Sequence, residues 1–192
     1  MKAARPAGRP QALGQAVDEQ IERKLRAVRL VAMDVDGVLT DGRAFYGSAG
    51  VEGLLFNVQD GTGIKWLQRA GIQTALITGR TLEAVVARAE ALGIPLVIQG
   101  AKVKLEAYEE LKEKTGLSDD AICYIGDDLP DLPVMRRAGL PVAVPNARPE
   151  VRAAARLVTE ARGGEGAVRE LAELILKAQG KWQEITRRYF ED

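Results

Sequence analysis

The sequence predicts an α/β domain with a doubly wound parallel sheet, and three observations carry that prediction. Short apolar runs of strand length alternate with longer amphipathic segments through most of the chain, the pattern of parallel strands wrapped by helices. Gly71, Gly93, Gly116 and Gly139 each follow a helical segment, where a left-handed C-cap is expected to end the helix. A chain of 192 residues, 46% of them hydrophobic, is long enough for one full α/β core.

In chain order, Met1 to Pro10 form a basic Pro/Gly/Arg leader, expected to be disordered. No apolar stretch follows it, and Asp18, Glu19 and Glu22 interrupt the next segment, so a secretion signal is not expected. A helix is expected from Leu13 to Ala27. Strands are expected at Leu30–Val35, Gln73–Ile77, Pro95–Ile98, Ala121–Ile125 and Pro141–Val144, each a short apolar run. Helices are expected at Gly63–Ala70, Leu82–Leu92, Val103–Lys114, Leu132–Ala138 and Ala167–Ala178. The stretch Arg43 to Val58, "RAFYGSAGVEGLLFNV", places two short β-like pieces around a Gly/Ser-rich turn and reads as a projecting hairpin. The expected division is a partly helical extension over 1–28, a core over 29–180 that includes the hairpin 43–58, and a tail over 181–192.

Composition removes whole classes of chemistry. Lys+Arg and Asp+Glu balance at 27 each, so nothing in the net charge points to nucleic acid or an anionic membrane. No run approaches the roughly 18 apolar residues of a membrane span. A single cysteine forms no intramolecular disulfide and fits a reducing cytoplasm. The absence of histidine excludes His phosphocarriers, Ser-His-Asp hydrolases and His-ligated zinc enzymes. Cys123 lies in "AICYIGDD", with Leu129 rather than an arginine six positions on, and reads as a buried strand residue. Carboxylates, hydroxyls, lysines and arginines remain, and their chemistry usually recruits a hard cation such as magnesium.

"LVAMDVDGVLTDGR", Leu30 to Arg43, drives a core strand into a turn with three aspartates, a costly arrangement unless a cation sits among them. Three further polar clusters follow strands: "TGR" (Thr78 to Arg80), "QGAKVK" (Gln99 to Lys104) and "GDDLPD" (Gly126 to Asp131). Alone, each reads as a turn or a cap; Asp128 suits an N-cap with Asp131 at the third helical position. Together they fall at the carboxyl edge of one parallel sheet, where such folds bind ligands. A calcium-binding EF-hand would need a ligand where Val38 stands and a glutamate where Phe45 stands. No G-x-x-x-x-G-K-[ST] phosphate loop is present.

The order D-x-D, Thr, Lys, acidic pair resembles the haloacid dehalogenase superfamily of aspartate-nucleophile phosphohydrolases. That resemblance implies a Rossmann-like sheet with Asp34 as nucleophile, ionised at the ordinary carboxylate pKa of about 3.9. Asp36 would protonate the leaving oxygen and then activate water. Asp34, the backbone carbonyl of Asp36 and Asp127 would hold Mg2+, and Thr78, the amides around it and Lys104 would neutralise the phosphoryl oxygens. Asp128 and Asp131 would orient Lys104 or metal-bound water. Lys102 competes with Lys104, and the family spacing of four residues after Gly100 selects Lys104.

From about Arg29 to Lys181 the chain resembles a narrower group, the bacterial 3-deoxy-D-manno-octulosonate 8-phosphate (KDO 8-phosphate) phosphatases. The segments that carry this are "DVDGVLTDG", "FNVQDGTGIKWLQRAGI", "ALITGR", "YIGDDLPDLPVM", "GLPVAVPNA" and "GGEGAVRELAELILKAQGKW". The resemblance implies a cytoplasmic, magnesium-dependent homotetramer acting on a small phosphorylated sugar acid in lipopolysaccharide precursor synthesis. Arg80 is the first candidate contact to the sugar or its carboxylate, or else a surface salt-bridge partner. Gly79, Asn57 and Lys65 complete the candidate substrate contacts.

Only the hairpin separates the first cluster from the next helix, and nothing sizeable lies between Thr78 and Lys104, so no cap domain is expected. An open site must then exclude water through the hairpin or a neighbouring chain. Phe45, Leu54, Leu55 and Phe56 suit either assembly through the hairpin or packing on their own core. The tail "KWQEITRRYFED" would cover a neighbour's substrate or fray. Gln59 stands where family members often carry a basic residue, and the hairpin is less polar than theirs, so a nine-carbon ulosonic acid 9-phosphate is an alternative substrate. A receiver-type phosphoacceptor domain shares the sheet, magnesium, Asp, Thr and Lys, but it places its acidic pair after the first strand, the reverse of the order here. An inactive scaffold on this fold is opposed by the complete set of candidate residues.

Overall fold

The computed structural model describes residues 11–12, 18–48 and 52–191. Among these residues nine strands and eight α-helices follow in order: β1 (Gln11–Ala12), α1 (Glu19–Ala27), β2 (Leu30–Met33), β3 (Phe45–Tyr46), β4 (Glu52–Gly53), α2 (Val58–Arg69), β5 (Gln73–Ile77) and α3 (Glu83–Leu92). Then come β6 (Leu96–Ile98), α4 (Lys104–Thr115), β7 (Ile122–Gly126), α5 (Leu132–Met135), β8 (Leu140–Ala143), α6 (Pro149–Ala154), β9 (Leu157–Val158), α7 (Ala167–Ala178) and α8 (Trp182–Thr186).

Seven strands form one sheet in the order β1-β9-β8-β7-β2-β5-β6, and every neighbouring pair is parallel. Such a sheet must be covered on both faces. Accordingly β2, β7 and β8 are buried at every residue. The helices sort into two layers: α2 packs on α7 and α3, and α1 on α7, whereas α4, α5 and α6 pack in succession with one another. β2 lies between β7 and β5, so its carboxyl end opens in the interior of the sheet edge rather than at its margin. This is the doubly wound α/β architecture expected from the alternation of runs.

Local differences from the sequence expectation have physical causes. α2 starts at Val58 rather than Gly63, with the Asn57 side chain accepting from the Gln59 N–H at 2.7 Å. Gly61 and Gly63 hide that first turn in the sequence; a Cβ on Gly63 would lie 2.9 Å from Arg169 Cα, so glycine here lets α2 and α7 approach. The helix expected at Leu132–Ala138 is instead a 3₁₀ turn, Leu129–Asp131, followed by the short α5. Gly71, Gly93 and Gly116 take positive φ as expected, but Gly139 does not. Gly139 is needed for space, because a Cβ there would meet Asp120 Cα at 2.6 Å. β1, β9, α6 and α8 were not expected from the sequence, being short or interrupted by polar residues.

Of the helix expected from Leu13, residues 13–17 lie outside the described residues, as does the leader 1–10; α1 begins after Asp18, whose carboxylate accepts from the Ile21 N–H at 2.8 Å. The hairpin is present as the antiparallel pair β3–β4, and residues 49–51 of its turn lie outside the described residues. Its apolar side chains divide: Leu54 and Phe56 pack against the core, while Phe45 is 70% and Leu55 82% exposed. The tail folds against its own chain, with the Trp182 ring edge-on to Trp66 at 5.3 Å and Tyr189 at 6.0 Å from the same ring. Cys123 is fully buried, and burial pushes its thiol pKa up. Among the described residues no helix is long and apolar enough to cross a membrane.

Candidate active site

All four polar clusters converge at the carboxyl edge of the sheet, around a depression of about 400 Å³. Asp34, Asp36, Thr78, Gly79, Arg80, Lys102, Lys104, Asp127 and Asp128 line it. Asp34 is the first residue past β2, and its N–H still donates to the Ile125 carbonyl at 3.0 Å, which extends the β2–β7 ladder by one residue. The chain then turns sharply at Gly37, with φ of 83°. A Cβ at Gly37 would fall 2.1 Å from Asp127 Oδ2, so the turn can approach the acidic pair only with glycine there.

The floor is one ionic network. Lys104, the first residue of α4, places Nζ 2.7 Å from Asp34 Oδ2 and 2.6 Å from Asp131 Oδ1. Lys102 lies exposed at the rim. Asp131 is fully buried and accepts from the Tyr124 hydroxyl at 2.6 Å and from the N–H groups of Asp127 and Asp128 at 3.0 and 3.1 Å. Gly126 makes room for it, since a Cβ there would lie 2.6 Å from the Asp131 carboxyl carbon. Asp128 is a helix cap: its carboxylate accepts from the Leu129 N–H at 2.8 Å, completing a capping box with Asp131. Thr78 is buried, with its hydroxyl accepting from the Arg80 N–H at 3.3 Å.

Tyr124 carries a part in this network that the sequence reading missed. It stands inside the apolar run of β7 and reads as core, yet its hydroxyl reaches the carboxylate seven residues on. A tyrosine two residues before "GDD" was the available signal, because a buried phenol needs a hydrogen-bond partner.

The rim is looser. Arg80 Nη1 pairs with Asp36 Oδ1 at 3.0 Å, and Nη2 donates to the Tyr46 hydroxyl at 3.4 Å, tying the hairpin to the mouth of the depression. Arg80 is therefore a salt-bridge partner that also stands in the site. Two candidate substrate residues are placed elsewhere. Asn57 caps α2 and donates to the Gly164 carbonyl at 3.3 Å. Lys65 lines a separate depression of about 290 Å³ between α2 and α3, beside Arg69, Arg88 and Tyr189. The structure does not bring either into the pocket around Asp34.

Charge on the floor is unbalanced. Asp34, Asp127 and Asp131 each offer an oxygen within 4.8 Å of the others, against the single charge of Lys104. Burial first, and the negative charge of Asp131 next, push Asp34 up to about 8 and Asp127 up to about 7. Asp34 therefore does not sit at the ordinary carboxylate pKa: burial and Asp131 raise it, while the Lys104 ammonium pulls it back toward the ionised form. Burial would lower Lys104, but Asp34 and Asp131 outweigh it and hold the ammonium above its usual range. The oxygens of Asp131 are already taken by four donors, which leaves Asp34 and Asp127 as carboxylates for a cation. A hard divalent ion suits this all-oxygen donor set and would favour the ionised form of Asp34.

A family model for haloacid dehalogenase-like hydrolases matches residues 60–139. The 3-deoxy-D-manno-octulosonate 8-phosphate phosphatase KdsC of Escherichia coli BL21-DE3 is 44% identical over 168 residues, 88% of this chain and 89% of the relative. A crystal structure of the same-named phosphatase from Moraxella catarrhalis, in complex with magnesium, phosphate and KDO, superposes with a TM-score of 0.87 at 45% identity, covering 88% of this chain and 98% of that one. A probable YrbI-family phosphatase from Pseudomonas syringae superposes with a TM-score of 0.89 at 45% identity, covering 91% and 99%. With sheet order, acidic floor and likeness along most of its length in agreement, this chain belongs to the 3-deoxy-D-manno-octulosonate 8-phosphate phosphatase family of haloacid dehalogenase-like hydrolases.

Proposed function

We propose that this chain hydrolyses KDO 8-phosphate to KDO and phosphate with magnesium as cofactor, through a phosphoryl group carried on Asp34. The observation that carries the reading is the floor itself: Asp34 held by Lys104 at 2.7 Å beside Asp127, with Asp36 two residues on at the mouth. The family relatives carry the substrate's name.

An oxygen of Asp34 attacks phosphorus as the bond from phosphorus to the C8 oxygen of the sugar breaks, and Asp36 gives that oxygen its proton. Asp36, now a carboxylate, takes a proton from water as the water oxygen attacks the same phosphorus. Inorganic phosphate leaves and the Asp34 carboxylate is restored. Lys104, the Thr78 hydroxyl and the Gly79 amide line the pocket where the phosphoryl oxygens gather charge. Asp34, Asp127 and the Asp36 carbonyl would hold magnesium, which would supply the positive charge that lets two anions meet. Asp131, fixed by Tyr124 and two backbone N–H groups, holds Lys104 in place. Arg80, at the mouth beside Asp36, meets the carboxylate of the sugar acid.

The mouth is open, and Phe45, Tyr46, Leu55 and Val58 are exposed around the hairpin. Apolar exposure next to an uncovered site supports a homotetramer in which a second copy completes the enclosure. The lone buried Cys123 supports a cytoplasmic setting.

The test is phosphate release from KDO 8-phosphate and from a nine-carbon ulosonic acid 9-phosphate, each with magnesium and with chelator. Magnesium-dependent preference for KDO 8-phosphate is expected. Preference for the nine-carbon acid would move the enzyme to another pathway with the same chemistry, and silence on both would reopen the non-enzyme readings.

A further inference from the structure

Gly37, directly after Asp36, is held from both sides. Its N–H donates to Thr40 Oγ1 at 3.3 Å, within the turn. Its carbonyl accepts from Asn146 Nδ2 at 3.0 Å, from a residue 109 positions away. The other end of the same amide, Asn146 Oδ1, accepts from the Gly163 N–H at 2.8 Å. Gly163 lies so close that a Cβ on it would stand 1.7 Å from the Gly37 carbonyl oxygen, so only glycine fits there without shifting the turn. The Gly164 N–H donates to the Val38 carbonyl at 2.9 Å.

The segment 162–166 that supplies these contacts is itself anchored away from the site. The Gly164 carbonyl accepts from Asn57 Nδ2 at 3.3 Å. Asp60, buried in the first turn of α2, accepts from the Arg169 N–H at 2.8 Å at the start of α7. α7 has only Gly166 at its N-cap, so this carboxylate does the capping from another helix. The carbonyls of Gly37 and Val38 thus rest against a splint fixed to α2, and Asn146 is the side chain that joins splint to turn.

This matters because the turn contains its own loose joint. Gly37 has φ of 83°, and a glycine peptide left unpaired reorients at small cost. The carboxylate of Asp36 hangs from the preceding residue, so a change at that joint moves it relative to the phosphorus. Asn146 does not line the depression around Asp34 and touches no reacting atom.

We propose that Asn146 is a positioning residue for Asp36: by clasping the Gly37 carbonyl to Gly163 it fixes the turn from which Asp36 delivers and removes protons. The inference rests on the assignment of Asp34 as nucleophile and Asp36 as acid and base. A misplacement near 1 Å costs on the order of 10²-fold in rate, and it falls on steps that need proton transfer.

Two variants and two substrates test it. Asn146→Asp keeps the shape and the acceptor toward Gly163 but loses the donor to Gly37. Asn146→Ala, at a half-buried position where water can replace the amide, serves if the first does not fold. KDO 8-phosphate releases an alkoxide that needs a proton, whereas p-nitrophenyl phosphate releases a phenolate that does not. On the sugar phosphate, kcat is expected to fall about 30- to 100-fold with KM within about twofold. On p-nitrophenyl phosphate, phosphorylation of Asp34 stays fast while water attack slows, so a burst of about one nitrophenolate per active site precedes slow turnover. Wild-type kinetics in the variant, or an equal fall on both substrates without a burst, would overturn the role of Asn146. Failure of the wild-type protein to turn over either substrate with magnesium would instead overturn the phosphatase reading.

Discussion

The floor and the rim of the active site are built on opposite principles. On the floor, Asp34, Lys104, Asp131 and Tyr124 are buried, and short hydrogen bonds connect them from residue to residue. Their backbones belong to the end of β2, the middle of β7, the 3₁₀ turn after it and the start of α4, so the sheet and the elements that follow its strands set their spacing. At the rim, Arg80 spans from Asp36 to Tyr46 on a two-stranded hairpin, and Tyr46 is 67% exposed. The floor is preorganised for one charge distribution, whereas the rim is made of long side chains that can exchange partners when a sugar acid arrives. Chemistry is fixed by the fold and recognition is left to adjustable groups.

The largest expected effect is on the floor: Asp34→Asn should lower turnover at least about a thousandfold while the protein remains folded. Phosphate release and a thermal melt check it together, and wild-type-like turnover would remove Asp34 as nucleophile. Next, Asp131→Ala should destabilise the protein by about 3 to 5 kcal/mol, because Lys104, Tyr124 and two backbone N–H groups lose a shared buried acceptor. A denaturant unfolding curve displaced by less than about 1 kcal/mol would mean that the floor is held by the sheet alone.

A third test separates the floor by its protons. Asp34 is raised from 3.8 to about 8 and Asp127 to about 7, so in chelator the folded state binds more protons than the unfolded chain across that window. Stability should therefore fall as pH rises from about 4 to about 8. Saturating magnesium should flatten this slope, and identical melting profiles with and without the ion would show that Asp34 and Asp127 do not share it. The rim gives the smallest effect: Arg80→Ala should raise KM for KDO 8-phosphate about tenfold and leave p-nitrophenyl phosphate nearly unchanged. Equal losses on both would mean that Arg80 acts through Asp36 rather than on the sugar acid.

Much of the architecture was legible because burial repeats with a local period. The expected strands Leu30–Val35 and Gln73–Ile77 are mostly apolar because both faces of a parallel sheet are covered, and the polar residues at their carboxyl ends, Asp34 and Thr78, stand out without tertiary information. α2 was cut short because Gly61 and Gly63 replace apolar residues where helices touch, and tight packing then imitates a helix break. β9 and α6 are too short to show a period. Asp128, offered by the sequence both as an N-cap and as a group orienting Lys104 or metal-bound water, caps the 3₁₀ turn while lining the depression, and Asp131 is the one drawn into the interior.

By itself the sequence determined the sheet, the order of the four polar clusters and the residue types available for phosphoryl transfer, all of which follow from periodicity and spacing along one chain. Only the tertiary structure decided that Asp131 gathers Lys104 and Tyr124, that Arg80 closes on Asp36, that Lys65 lies in another depression, and that Asn146 and Gly163 clasp the turn after Asp36. Those pairings join residues up to 109 positions apart. They exist because packing the helices on the sheet brings unrelated loops to one edge, where each buried polar group must find a partner.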